Sequence, residues 1–222
     1  MKVCTDACVF GSYISLKEKN GSNNETNILD IGTGTGLLSL MIAQKVKGNI
    51  EAVEIDEKAF EQSQENFINS AWRSRLSVYH ADIKRLTFTK KYHLIVSNPP
   101  FFEKSLKSSD YQKNFAKHTT SLSYSELVAI ASGNLMEKGK FYILLPFNEF
   151  KVFENIATRN RLSLIEKTHI RQNEHSTCLR TIGVFIKAPG EAAPIEELIT
   201  IKDNKGYTAS FTKLLNDYYL YL

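Results

Sequence analysis

The sequence has few of the residues that cross-link small secreted domains, since its 222 residues include only three cysteines, Cys4, Cys8 and Cys178. An odd number of cysteines without metal-ligand spacing argues against a disulfide framework and against a zinc site. No hydrophobic run approaches the roughly 20 residues that span a bilayer, and the first residues lack the long apolar stretch of a signal peptide. These absences predict a cytoplasmic protein with neither a metal nor a membrane partner.

The sequence also lacks a large excess of charge of one sign. Its 28 lysines and arginines are offset by 24 acidic residues, which leaves a net charge of only +4. Such a small surplus permits a polyanionic partner without requiring one. A hydrophobic fraction of 42% and a charged fraction of 23% are ordinary for a globular protein of this length. We expect a single domain over residues 1–222, and a monomer is favoured.

Short apolar strands alternate with helical segments along the chain. The predicted strands are 27–31, 50–55, 76–80, 93–97, 140–145, 162–170 and 181–187, and the predicted helices are 37–47, 58–71, 124–136, 150–161 and 207–218. This alternation predicts an α/β fold, with a Rossmann-like, seven-stranded, mostly parallel sheet and helices on both faces. The last two strands have little helix between them, which predicts an antiparallel strand at one edge. Ligands are expected beyond the carboxyl ends of the strands.

A glycine-rich loop, DIGTGTG at 30–36, follows the first strand and opens the first predicted helix. Alternating glycines let the backbone turn tightly and approach a ligand closely. A P-loop is disfavoured because Leu37 and Leu38 stand where it carries Lys and Ser or Thr. The G-x-G-x-G spacing also differs from the G-x-G-x-x-G of dinucleotide sites. The Asp30 carboxylate repels a pyrophosphate but suits a ligand with ammonium and sulfonium charges, as S-adenosylmethionine has.

Acidic residues end the next two strands. Glu54, followed by Ile55, stands where an acid accepts hydrogen bonds from both hydroxyls of a ribose. Asp82, followed by Ile83, suits the amino group and the ring of an adenine, although helix capping explains Asp82 equally well. The position of Glu54 also serves nicotinamide dinucleotides, so this residue does not discriminate between the two cofactors.

The fourth strand runs into the turn Asn98-Pro99-Pro100-Phe101. Prolines lock this backbone and have no N–H group, so the turn presents the Asn98 side-chain oxygen and the Pro99 carbonyl as acceptors. Two converging acceptors can hold both protons of one NH2 group and aim its lone pair at a methyl donor, which is catalysis by positioning. Phe101 is placed to stack on a flat group such as a purine.

Together these motifs resemble a known family. DIGTGTG, AVEID, HAD and SNPPF stand in the order and spacing of Rossmann-like amino-methyltransferases, which methylate adenine N6, guanine N2 or protein glutamine. Three further segments extend the resemblance over nearly the whole chain to the bacterial tRNA1(Val) (adenine-37-N6)-methyltransferases: MKVCTDACVFGSYI, LRTIGVFIK and YTASFTKLLNDYYLYL. The resemblance implies methyl transfer from S-adenosylmethionine to adenine N6 in tRNA, at position 37 of a valine tRNA.

The resemblance also implies roles for individual residues. The implied cofactor-binding residues are Lys2, Thr5, Asp30, Gly32, Thr33, Gly34, Gly36, Glu54, Ile55, Asp82, Ile83 and Asn98. The implied catalytic residues are Asn98, Pro99, Pro100 and Phe101, which hold the target amine. Asp6 and Phe101 are placed on the substrate side.

Lysines and aromatic residues alternate in the segment 102–120, directly after the turn, which suits phosphate contact and base stacking. The predicted phosphate contacts are Lys104, Lys107, Lys113 and Lys117. DNA is disfavoured because the chain has no spare block for a recognition domain, whereas a folded RNA supplies specificity through its shape. Methylation of rRNA or of a protein glutamine stays open. So do a non-catalytic domain that binds S-adenosylmethionine or RNA and, less favoured, a nicotinamide oxidoreductase.

Overall fold

The structure, a computed structural model, describes residues 4–100, 122–188 and 193–221. The helices in these ranges are α1 (Thr5–Glu18), α2 (Leu37–Lys45), α3 (Glu57–Ile68), α4 (Tyr124–Asn134), α5 (Phe147–Arg159) and α6 (Ala209–Leu215). The strands are β1 (Asn27–Ile31), β2 (Asn49–Glu54), β3 (Leu76–His80), β4 (Tyr92–Ser97), β5 (Leu135–Pro146), β6 (Ser163–Arg171), β7 (Cys178–Ile186), β8 (Ile195–Thr200), β9 (Lys202–Asp203) and β10 (Gly206–Tyr207). Short 3₁₀ turns at Arg73–Arg75 and Ile83–Arg85 flank β3.

Eight of these strands form one sheet in the order β3-β2-β1-β4-β5-β7-β6-β8. Neighbouring strands are parallel except where β7 pairs antiparallel with β5 and with β6. β9 and β10 form a separate antiparallel ribbon. The chain builds outwards from β1 to β3 and then returns to place β4 on the other side of β1. Ligands bind at such a reversal of strand order, beyond the carboxyl ends of the strands.

Helices cover both faces of the sheet. Residues of α1, α2 and α6 form one core with Ile28, and residues of α4 and α5 form a second core with Leu29. Both of these β1 residues are completely buried although they point to opposite faces. A central parallel strand is expected to be apolar on both sides for this reason.

Local signals explain where several helices begin. Ser123 and Glu126 form a reciprocal capping box at the start of α4, and the Asp56 carboxylate accepts a 2.9 Å hydrogen bond from the Ala59 N–H at the start of α3. In α5 the buried residues Phe150 and Phe153 are one turn apart, so one stripe of the helix packs on the sheet.

The predicted fold class is confirmed, and two details at the sheet edge are corrected. Among the described residues the sheet has eight strands rather than seven, because the alternation misses β8, whose first four residues are exposed. β7 is antiparallel as predicted but lies inside the sheet, since β8 continues the sheet beyond β6. The sequence also misses α1, in which every residue from Cys8 to Ser15 is buried. A helix buried on all sides shows no amphipathic period.

Strand lengths shape the carboxyl edge of the sheet. Ser97, the last residue of β4, pairs with Ile143, and β5 continues to Pro146. Pro146 in turn faces Arg180 of β7. β5, β7 and β6 therefore rise above the end of β4 and form a wall beside it. Within the described ranges, every helix falls short of the length and apolar character that a membrane span requires.

Candidate active site

The glycine loop connects β1 to α2 at the carboxyl edge of the sheet. Gly32, Gly34 and Gly36 have positive φ angles of 73°, 60° and 83°. At Gly36 an added Cβ would also lie 2.6 Å from the Phe67 ring, so backbone and packing both require glycine. At Gly32 an added Cβ would meet no atom of the described residues within 4 Å. The space beside Gly32 is therefore open to a ligand.

Asp30 is completely buried where β1 enters this loop. Its Oδ2 accepts hydrogen bonds of 2.7 Å from the hydroxyls of Thr33 and Ser39, whereas its Oδ1 has no partner among the described residues. Burial raises the pKa of Asp30 to about 6, and the nearby Glu54 carboxylate adds to the rise. A buried carboxylate oxygen without a donor is costly unless a ligand supplies one. A cationic ligand fits this position.

Glu54 ends β2 and closes over the loop. Its Oε2 accepts a 2.7 Å hydrogen bond from the Gly34 N–H, and its Oε1 accepts 2.9 Å hydrogen bonds from the N–H groups of Ile55 and Asp56. A carboxylate has about four acceptor positions, so these three donors leave room for one more. The acid predicted to bind a ribose thus also holds the glycine loop against β2.

Asp82 follows β3 and caps a 3₁₀ turn, because its Oδ1 accepts a 3.0 Å hydrogen bond from the Lys84 N–H. The capping explanation of this residue is therefore confirmed, and its second carboxylate oxygen keeps acceptor capacity. Ile83 is buried in the core, whereas Ile55 is half exposed at the sheet edge. Ile55 therefore offers more surface to a flat ring than Ile83 does.

The turn after β4 lies next to the glycine loop. The Ser97 hydroxyl donates a 2.8 Å hydrogen bond to the carbonyl of Ile31, the residue before Gly32. The Oδ1 of Asn98 is buried and has no donor within the part of the chain that the structure describes. Pro99 is buried and Pro100 is exposed. The structure thus brings an unpaired acceptor beside the glycine loop.

Comparisons with known proteins agree with this geometry. A family model described as methyltransferase small domain matches residues 10–145. A tRNA1(Val) (adenine(37)-N6)-methyltransferase of Cytophaga hutchinsonii is 38% identical, with 100% of this chain and 92% of the relative covered. Enzymes of the same name from Christiangramia forsetii and Vibrio vulnificus are 37% and 35% identical, over 100% and 99% of this chain and 92% and 89% of theirs.

The chain belongs to the tRNA1(Val) (adenine(37)-N6)-methyltransferase family. It is a methyltransferase, and S-adenosylmethionine is its cofactor. Solved structures agree on the fold alone. A predicted O-methyltransferase of Agrobacterium tumefaciens is 17% identical, with a TM-score of 0.70 and 96% of each chain covered. A class I S-adenosylmethionine-dependent methyltransferase of Listeria monocytogenes is 14% identical, with a TM-score of 0.64 over 97% of this chain and 72% of that one.

The start of this methyltransferase lies at the same edge. Thr5 opens α1 and is exposed. The Asp6 carboxylate lies 3.1 Å from Nε of Arg180, which faces Pro146 across the β5–β7 pair. The Asp6 carboxylate, predicted to contact substrate, is thus in an ion pair that fixes α1 to the wall. The other predicted site residues lie outside the described ranges: Lys2, Phe101, Lys104, Lys107, Lys113 and Lys117.

Sequence reasoning misses three residues that organise the methyltransferase site. Ser39 holds the Asp30 carboxylate, and its signal is a lone serine within the apolar segment LLSLMIA. Ser97 joins the turn to the loop, and its signal is a buried polar residue before Asn-Pro-Pro. Arg180 has no comparable signal, because its partner Asp6 is distant in the sequence. Among the described residues, no group of three or more His, Cys, Asp or Glu side chains could hold a metal.

Proposed function

We propose that this methyltransferase transfers a methyl group to N6 of an adenine in tRNA, at position 37 of a valine tRNA. The observation that carries the proposal is the buried Oδ1 of Asn98, an acceptor without a donor in the described ranges, next to the open glycine loop. An exocyclic NH2 group supplies the missing donor. Relatives that are 38% and 37% identical and carry this name support the choice of adenine and of tRNA.

Asn98 acts by positioning the amine. Its Oδ1 and the Pro99 carbonyl accept the two N6 protons, which turns the nitrogen lone pair towards the methyl group. As the new N–C bond forms and the S–C bond breaks, the nitrogen becomes positively charged, and both oxygens stabilise that charge. The surplus proton then leaves the amine for solvent. A strong base is not required, because the proton leaves after the methyl group has arrived.

The sulfonium of S-adenosylmethionine supplies the electrophilic methyl group. The unpaired Oδ1 of Asp30 suits the positive charge of that ligand, and Thr33 and Ser39 hold the carboxylate in place. Glu54 retains acceptor capacity for a ribose while it keeps the loop closed. The remaining predicted cofactor residues keep their proposed roles, and so do the four lysines of segment 102–120 towards phosphate.

The proposal places this activity in one domain, residues 1–222. A monomeric state and a cytoplasmic location stay predictions from the sequence.

A transfer assay tests the proposed function. The purified protein is incubated with methyl-labelled S-adenosylmethionine and an unmodified valine tRNA transcript, and the nucleosides are separated after digestion. We expect label in N6-methyladenosine, and none when guanine replaces adenine at position 37. Asn98→Ala should lower turnover by about 10²–10³-fold while calorimetry still detects cofactor binding.

Other outcomes have separate meanings. Label in N6-methyladenosine at another position, or in rRNA, would keep the reaction and correct the substrate. Label in a protein glutamine, with none in RNA, would overturn the tRNA substrate. Unchanged turnover of Asn98→Ala would remove Asn98 from catalysis.

A further inference from the structure

Exposed side chains line the wall formed by β5, β7 and β6 beside the Asn98 turn. We call three of them the ledge: Phe147, His169 and Leu179. Phe147 directly follows β5 and is 40% exposed, Leu179 is the second residue of β7 and is 44% exposed, and His169 lies near the end of β6 and is partly exposed. The ledge is therefore an apolar surface at the carboxyl edge of the sheet, where ligands bind in this class of fold.

The ledge is held rigidly. The rings of Phe147 and His169 meet edge to face, with centroids 5.0 Å apart and planes at 72°. His169 Nδ1 lies 2.9 Å from Oγ1 of the buried Thr181, which fixes the orientation of the imidazole. Burial lowers the pKa of His169 below its ordinary value, which favours the neutral form of the ring. A fixed, uncharged aromatic pair is suited to stacking.

A cation stands at the end of the same wall. Arg171 is the last residue of β6, and within the described residues its hydrogen bonds go to neutral groups. Its Nε donates to Oγ1 of Thr200 at 2.9 Å, and its Nη1 donates to the backbone carbonyl of Glu174 at 3.1 Å. These bonds orient the guanidinium without neutralising it, which suits contact with a phosphate.

We propose that the ledge and Arg171 bind the single-stranded RNA that adjoins the target adenine. A neighbouring base packs on Phe147, and Arg171 contacts a phosphate of the same strand. A stacking surface beside a fixed cation matches the alternation of bases and phosphates in a single strand. β6 is three strands away from β4, which is about 14 Å at the usual strand spacing. The ledge therefore reaches flanking nucleotides rather than the target base. This inference rests on the proposed function.

Direct binding of an unmodified valine tRNA transcript tests the ledge, with steady-state methylation measured alongside. Phe147→Ala should weaken tRNA binding about tenfold, the order of one lost base stack, and should raise KM for tRNA equally. Cofactor affinity and kcat should stay at wild-type values. Phe147→Tyr should bind tRNA like the wild type, because a tyrosine ring also stacks. Val152→Ala, which truncates another exposed side chain of α5, should bind tRNA like the wild type.

Leu179→Ser provides a second variant, because it changes an exposed residue without entering the core. It should also weaken tRNA binding, and thermal unfolding checks that each variant is folded. Wild-type tRNA affinity of both Phe147→Ala and Leu179→Ser would overturn the ledge as an RNA site.

The salt dependence of binding tests Arg171. Arg171→Gln should reduce the slope of log affinity against log salt by about one phosphate contact. Arg159→Gln is the control and should leave the slope unchanged, because Arg159 lies at the end of α5 that is opposite to Phe147. An identical slope for wild type and Arg171→Gln would remove Arg171 from the RNA contact.

The two proposals fail in different ways. If the ledge variants bind tRNA more weakly but the wild-type protein places no methyl group on adenine 37, the proposed function is overturned. The ledge is then still supported as an RNA site. Adenine methylation by variants that all bind tRNA like the wild type would overturn the ledge alone.

Discussion

The hydroxyl of Ser97 donates a 2.8 Å hydrogen bond to the backbone carbonyl of Ile31, and both residues are buried. Ser97 precedes the Asn98 turn, and Ile31 precedes the first glycine of the cofactor loop. This bond therefore joins the acceptor turn to the cofactor loop across the β1–β4 pair. The distance between amine and methyl donor depends on such a connection, because reactions that rely on positioning are sensitive to small displacements.

Ser97→Ala should lower turnover about tenfold and the free energy of unfolding by about 1–2 kcal/mol, because the buried Ile31 carbonyl loses its donor. Methylation kinetics and denaturant unfolding measure the two effects. Ser132→Ala is a matched control, since the Ser132 hydroxyl also donates a 2.8 Å hydrogen bond to a backbone carbonyl. That carbonyl belongs to Asn160, directly after α5, and is not part of the site. The control should lose stability and keep turnover. Equal turnover in both variants would contradict the connection.

Asp30→Asn should stabilise the cofactor-free protein above pH 6. The native state raises the pKa of Asp30 from 3.8 to about 6, so the neutral carboxyl favours folding. That contribution is complete below about pH 4 and is lost as the pH rises through 6. The difference corresponds to at most about 3 kcal/mol. Denaturant unfolding at several pH values should show that Asp30→Asn loses less stability than the wild type as the pH rises from about 4 to 7. Parallel plots of unfolding free energy against pH for the two proteins would count against the raised pKa of Asp30.

Cofactor binding should respond to the same residue with the opposite sign. A cationic ligand favours the ionised carboxylate, so affinity for S-adenosylmethionine should rise as the pH increases from about 5 to 7. Calorimetry in buffers of different ionisation enthalpy should detect the released proton. Asp30→Asn should bind more weakly and without this pH dependence. If the affinity of the wild type for S-adenosylmethionine stays constant between about pH 5 and 7, Asp30 does not interact with the charge of the cofactor.

Glu54→Gln should weaken cofactor binding tenfold or more. The amide preserves the shape but loses the charge that strengthens the bonds from Gly34, Ile55 and Asp56. Calorimetry with S-adenosylmethionine measures the effect. Glu57→Gln, at an exposed acid two residues beyond Ile55, is the control and should bind normally. Unaltered affinity of Glu54→Gln would remove this carboxylate from the site.

Gly36→Ala should destabilise the protein by more than about 1 kcal/mol, because Gly36 has a φ of 83° and a Cβ would lie 2.6 Å from Phe67. In a Phe67→Ala background the clash disappears while the backbone strain remains. The same substitution should therefore cost less there. A double-mutant cycle measured by denaturant unfolding gives the coupling between Gly36→Ala and Phe67→Ala. Strictly additive effects would show that the Phe67 ring is not what opposes a Cβ at position 36.

Neutralising the lysines after the turn should flatten the salt dependence of tRNA binding, by up to about four phosphate contacts. The substituted residues are Lys104, Lys107, Lys113 and Lys117. The control replaces four exposed lysines near the amino ends of the strands, Lys19, Lys47, Lys91 and Lys138. If both quadruple variants show the wild-type slope, segment 102–120 does not contact phosphate.

Much of the fold can be predicted where a segment carries its own signal. The predicted bounds of β1 and β3 are those observed, because an apolar run marks β1 and the alternation of Leu76 and Val78 with exposed residues marks β3. The predicted helix 124–136 instead ends at Asn134, since Leu135 already pairs with Tyr92 in the sheet. β8 and α1 are missed for opposite reasons. One is exposed at the sheet edge and the other is buried all round, so neither shows the expected periodicity.

The sequence by itself determined the glycine loop, the acids that end β2 and β3, and the Asn-Pro-Pro turn. Each depends on a property of single residues, such as the positive φ of Gly36 or the missing N–H of Pro99. Only the tertiary structure decided that oxygens of Asp30 and Asn98 stay unpaired in the described ranges, and that Phe147 meets His169. Those relationships depend on burial and on contacts between distant segments, which leave no local pattern in the sequence.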